Sequence, residues 1–170
     1  MASDYKTIDG VKYERALLNL ADECVAGVGD GRISKDDAAA LLKSAQDGDQ
    51  YTDIEHATIG YIKANYKWTD AALKWFDGAL DAWLETIDAR VVGAAVLSRS
   101  LLALADECVA GVGDGRISKD DAAKILAAVK ADAKYTKREQ ATVAHIQAEY
   151  KWTDAALKWF AAEIAAWTGA

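Results

Sequence analysis

Apolar residues recur every three or four positions along most of this chain, and the recurrence breaks where glycine, aspartate and threonine gather. Leu17, Ala21, Cys24, Val25 and Val28 share one helical stripe and predict helix 1 over roughly 11–26. A glycine-rich loop follows. Ser34 is a good N-cap, with Asp36 and Asp37 in the first turn of helix 2, which carries Ala38, Leu41, Leu42 and Ala45 inward. Asp47-Gly48-Asp49 breaks that helix. Thr52 and Glu55 form a capping box that opens helix 3, with Ile54, Ala57, Ile59, Tyr61, Ile62 and Tyr66 apolar. Thr69 caps helix 4, whose inner face is Leu73, Phe76, Leu80, Trp83 and Leu84. Residues 1–10 are polar and predict partial order at best.

The same plan then occurs again. At an offset of 84, Leu17–Trp83 aligns without gaps on Leu101–Trp167, and 43 of the 67 positions are identical. Leu20–Ala39 and Tyr66–Phe76 are repeated unchanged, while differences crowd into 40–50, 53–65 and 77–81. Perfect blocks beside densely changed ones are the mark of a recent duplication or of an engineered chain. Two units are expected, 1–86 and 87–170, with a bend between Ile87 and Gly93 in the linker.

The loop itself reads Gly27-Val28-Gly29-Asp30-Gly31-Arg32-Ile33-Ser34-Lys35-Asp36-Asp37 and recurs at Gly111–Asp121. Alternating glycines cannot hold a helix, and glycine suits positive φ. Ile33 supplies one extended residue, and Trp68, 35 positions on, also precedes a threonine N-cap. This order resembles a pair of EF-hands. The resemblance implies all-α architecture: two tandem four-helix EF-hand-like units related by a pseudo-two-fold, with a small antiparallel contact between Ile33 and Trp68. With Gly31 at loop position 6, it also implies metal-ligating roles for Asp30, Arg32 (main chain), Ser34 and Asp37, and in the second copy for Asp114, Arg116, Ser118 and Asp121. Positions 1 and 3 fall on Ala26 and Val28, which offer no side-chain oxygen, and position 12 is aspartate rather than glutamate. The expectation is weak calcium binding, Kd about 10⁻⁴ to 10⁻³ M, and no other cofactor. A longer pseudo-EF-hand path stays open, with carbonyls of Cys24, Gly27, Gly29 and Arg32 and a terminal Asp37.

Charge narrows the partners. A net charge of −7 disfavours nucleic acid and anionic membrane surfaces, both of which reward basic excess. No apolar run approaches the roughly 20 residues of a membrane span, and no signal-peptide pattern opens the chain. Cys24 and Cys108, at equivalent positions, read as buried free thiols of a cytoplasmic protein.

Candidate chemistry lies where the copies differ. His56 stands opposite Gln140, and His145 opposite Tyr61; Gly60 and Gly78 stand opposite Ala144 and Ala162. A glycine inside a helix costs about 0.5–1 kcal/mol against alanine, so the pair could open space for a ligand. No Ser-His-Asp or Cys-His spacing is present. The six tryptophans read mainly as core. Leu17, Cys24, Ile33 and Phe76, with their copies, are expected to be buried. Changes confined to some faces predict that the copies pack on each other through helices 3 and 4, a single-chain version of a homodimer, with Tyr61 and His145 near the axis. The resulting reading is a non-catalytic, engineered tandem-repeat scaffold or binding module derived from an EF-hand-like protein, metal binding weak or lost. The alternative is an engineered enzyme or small-molecule binder. Its pocket, between the repeats or inside the first one, would draw on His56, Gly60, Tyr61, Gly78 and His145.

Overall fold

A computed structural model describes residues 4–27, 30–48, 50–111 and 114–168. Val28, Gly29 and Asp49, used above in helix 1, the loop and the end of helix 2, lie outside the described residues. The described chain is mostly helical, with eight helices and two two-stranded sheets. It divides into two compact units, Met1–Val96 and Leu97–Ala170.

The first unit opens with a hairpin, β1 (Tyr5–Ile8) and β2 (Val11–Glu14), where partial order and the start of helix 1 were expected. Asp9 and Gly10 both take positive φ, 51° and 83°, the turn that an Asp-Gly pair adopts between two short alternating strands. The pairing is antiparallel, with Thr7 opposite Lys12. Four helices follow: α1 (Arg15–Ala26), α2 (Lys35–Ala45), α3 (Asp53–Asn65) and α4 (Asp70–Thr86). Their starts are set by the expected caps. Ser34 with Asp37, and Thr52 with Glu55, form complete capping boxes, and Thr69 accepts from the Ala72 amide.

The stretch expected to bend between Ile87 and Gly93 is a second hairpin, β3 (Ala89–Val92) and β4 (Ala95–Ser98). It lies 84 residues after the first, strand for strand, although the two sequences barely resemble each other. Thr58 shows why both occur. Its hydroxyl, bonded to the Ile54 carbonyl, accepts the Glu14 amide at 2.8 Å, and Thr142 accepts the Ser98 amide at 2.8 Å. The invariant receptor is on the third helix of each unit. The second unit continues as α5 (Arg99–Ala110), α6 (Lys119–Val129), α7 (Lys137–Glu149) and α8 (Asp154–Thr168).

Ile33 and Trp68 do form a bridge, as do Ile117 and Trp152, but each runs parallel, not antiparallel. The Ile33 amide donates to the Lys67 carbonyl at 2.8 Å, and the Ile33 carbonyl accepts from the Thr69 amide at 3.1 Å. One residue thus bonds on both sides of its partner, the parallel pattern. In this respect the contact departs from the paired EF-hand.

The first core gathers Leu17, Leu18, Ile33, Leu41, Tyr51, Ile62 and Phe76, together with Ala89 and Val96 from the second hairpin. The second gathers Leu101, Leu102, Ile117, Ile125, Val143, Ile146, Trp152 and Phe160. Burial of Leu17, Ile33, Phe76 and their copies is as expected. Cys24 and Cys108 are only half-buried, because each sits in the last turn of its helix beside the loop. Of the tryptophans only Trp152 is buried; the other five are half-buried, with Trp75 and Trp159 lying under Lys35 and Lys119. No helix among the described residues is long and apolar enough to cross a membrane.

Candidate functional site

The repeated loop is built from local bonds. In the first unit, the Arg32 amide donates to Asp30 Oδ1 at 3.1 Å, and the Arg32 guanidinium pairs with Oδ2 at 3.4 Å. Ser34 donates to Asp37 Oδ2 twice, from its amide at 2.9 Å and its hydroxyl at 2.7 Å. The Ser34 hydroxyl bond, before all else, holds the Asp37 carboxyl below the usual range. Burial and then Asp37 push the Cys24 thiol up to about 11, the opposite of an activated thiolate.

The second loop repeats this with one addition. Lys124, where the first unit has Ala40, donates to Asp121 Oδ1 at 3.0 Å while Ser118 holds Oδ2. A cavity of about 460 Å³ adjoins this loop, lined among others by Cys108, Asp114, Arg116, Ser118 and Asp121. Asp30 and Asp37 in the first loop, and Asp114 and Asp121 in the second, are therefore already engaged with their own neighbours. Gly31 and Gly115 take φ of 71° and 72°, a left-handed conformation that favours glycine. Among the described residues, no group of three or more His, Cys, Asp or Glu side chains is gathered to hold a metal ion.

The five pocket candidates are placed as follows. His56 on α3 is half-buried, with Nε2 3.3 Å from the Gly93 carbonyl in the turn of the second hairpin. Tyr61 packs on Tyr13 of β2, ring centroids 4.8 Å apart. Gly60 and Gly78 are exposed, and a Cβ at either would meet nothing within 4 Å. His145, in the second unit, lies edge-on to Tyr150. None of the five lines either cavity described here.

Glu14 and Tyr51 escaped the sequence reading, which took Glu55 only as a cap. Glu14 occupies the N-cap of α1 but makes no side-chain cap. Its Oε2 is buried without a partner, and burial, then Glu55, then Asp47 raise its carboxyl above the usual range. Glu55, itself buried, accepts from Thr52 through both amide and hydroxyl. Tyr51 is buried edge-on against Trp83, its hydroxyl unpartnered and its pKa raised by burial and then by Glu55. Glu14 and Glu55 help line a cavity of about 310 Å³, with Asp4, Tyr5, Thr52 and Ile54. The signal that could have found Glu14 is its equivalent, Ser98, a proper N-cap; the aligned repeat begins three residues too late to show it.

Comparison with known protein families, curated proteins and solved structures gives no match to this chain.

Proposed function

We propose that the chain is a non-catalytic helical binding module, made of two EF-hand-like copies of one unit, in which the loops turn the chain and bind calcium only weakly. The observation that carries this reading is the engagement of Asp37 and Asp121. Each is the terminal acid of its loop, and each caps the helix that follows instead of facing outward. A calcium ion needs six to eight oxygens and would have to displace those bonds. Burial raises the thiols of the half-buried Cys24 and Cys108, so neither is an activated nucleophile. Calorimetric titration with calcium and magnesium tests it. The expected Kd is about 10⁻⁴ to 10⁻³ M, the weakest EF-hand class, and chelator leaves the melting temperature unchanged. Submicromolar binding, or a loss of several degrees in chelator, overturns it and favours the longer loop path through main-chain carbonyls.

A second reading, a small-molecule binder with its pocket inside the first unit, is favoured by the 310 Å³ cavity in which Glu14 and Glu55 crowd. Such a pocket would take a small organic cation. Titration of the protein with guanidinium and alkylammonium compounds, followed by amide chemical shifts, tests it; shifts absent around Glu14 and Glu55 dismiss it.

A further inference from the structure

The two hairpins occupy equivalent stretches of their repeats and are opposite in use. Along a strand successive side chains alternate between faces. On one face of the second hairpin lie Ala89, Val91 and Val96. Ala89 and Val96 are buried in the first unit's core, at 0% and 4% exposure, and Val91 packs against it. The seat is made by α3 and α4. Asp53 Oδ1 accepts the Val96 amide at 2.7 Å, His56 reaches the Gly93 carbonyl, and Tyr51, Leu80 and Leu84 are buried in the same core.

At the equivalent positions of the first hairpin stand Tyr5, Thr7 and Lys12, all exposed. The equivalent seat on α7 and α8 is changed as well. Lys137 replaces the acceptor Asp53, Gln140 replaces His56, and Thr168 replaces Leu84, while Tyr135 is half-buried where Tyr51 is buried. A lysine ammonium can only donate, so it cannot receive the amide that Asp53 receives. A hairpin docked on this seat from a second copy would also bring Lys12 to the place of Val96, beside Lys137. That juxtaposes like charges and buries one of them.

We infer that the first hairpin and the α7–α8 face are a deliberately mismatched pair, built to refuse a second copy of this chain. Without them, the hairpin of one molecule would seat on the last helices of the next as β3 and Val96 seat on α4. Such a head-to-tail contact need not close, and an unclosed one grows filaments.

The test restores one end at a time. One variant carries Tyr5→Ala, Thr7→Val and Lys12→Val; the other carries Lys137→Asp, Gln140→His and Thr168→Leu. Each alone keeps one refusing end and stays monomeric. Mixed at up to about millimolar, the range of effective concentration that tethering supplies, they form a one-to-one complex. Amide shifts should be confined to 5–12 in one partner and to α7 and α8 in the other. All six changes in one chain give mass that rises with concentration. The single exchanges Lys12→Val and Lys137→Asp sit at exposed positions that leave folding intact, and they give the same pairing more weakly. The inference is overturned if the unmodified protein already assembles head to tail over this range. It is equally overturned if the folded variants, checked by circular dichroism, do not pair.

Discussion

Replacing Glu14 by serine should stabilise the protein, because the chain already contains the answer at Ser98. The two N-caps have nearly the same backbone, φ −71° and ψ 123° at Glu14 against −70° and 121° at Ser98. Both donate their amide to a threonine on the third helix at 2.8 Å. They differ in the side chain: the Ser98 hydroxyl accepts from the Leu101 amide at 3.3 Å, while Glu14 caps nothing and leaves Oε2 buried without a partner. Gaining a serine cap is worth about 1 kcal/mol. Removing an unsatisfied carboxylate adds about 1 kcal/mol, the low end of the usual range because the residue is partly solvated. The sum, about 2 kcal/mol, raises Tm by roughly 4–8 °C for a chain of this size. The sign with pH follows from linkage. The folded pKa of Glu14 is raised, so the native state holds this proton more tightly than the unfolded chain. The cost of Glu14 is thus full above the raised value and fades as pH falls toward the ordinary glutamate value of about 4.3. Denaturant melts of both proteins at neutral pH and near pH 4 should show the gain shrinking to the cap alone. Glu14→Gln should reproduce only the pH-dependent part. A loss of stability at neutral pH, or a gain that ignores pH, refutes the reasoning.

Phe76 and Phe160 are buried against Trp68 and Trp152, and truncating either to alanine should cost about 3–5 kcal/mol in a denaturant melt. Gly60→Ala and Gly78→Ala should each stabilise by about 0.5–1 kcal/mol, since the new methyl meets nothing; a loss at either would reveal a close approach that the structure does not contain. Cys24 should label slowly at neutral pH, and Asp37→Asn should speed labelling while costing about 1 kcal/mol of helix capping; timed thiol-reagent assays with parallel melts read both effects.

What could be read from the residues was mostly punctuation. Ser34 with Asp37, Thr52 with Glu55, and Thr69 announce three helices because a cap is local chemistry that tertiary context seldom overrules. The hairpins stayed hidden for a different reason. Tyr5–Glu14 holds the Asp-Gly turn signal, but its strands are four residues long, and the second hairpin shares almost none of its residues. What the hairpins have in common is Thr58 and Thr142, more than 40 residues away, a contact that no window of sequence spans. The direction of the Ile33–Trp68 bridge has no sequence signature either, since a single residue pair shows no alternation. The site was less legible than the fold. His56, Gly60 and Gly78 were noticed for differing between copies, yet a difference marks equally a surface free to drift. Glu14 carried the stronger anomaly and lay just outside the aligned repeat.

The placement of Ala89 and Val96 in the first core has a consequence for where the first unit can be cut. The first core is complete only with residue 96, ten residues after α4 ends. The helices of the first core are covered by a hairpin whose second strand runs on through Leu97 and Ser98. The segment that recurs every 84 residues is therefore out of phase with the segment that folds. A fragment ending with α4 at Thr86 would keep the seat without its occupant.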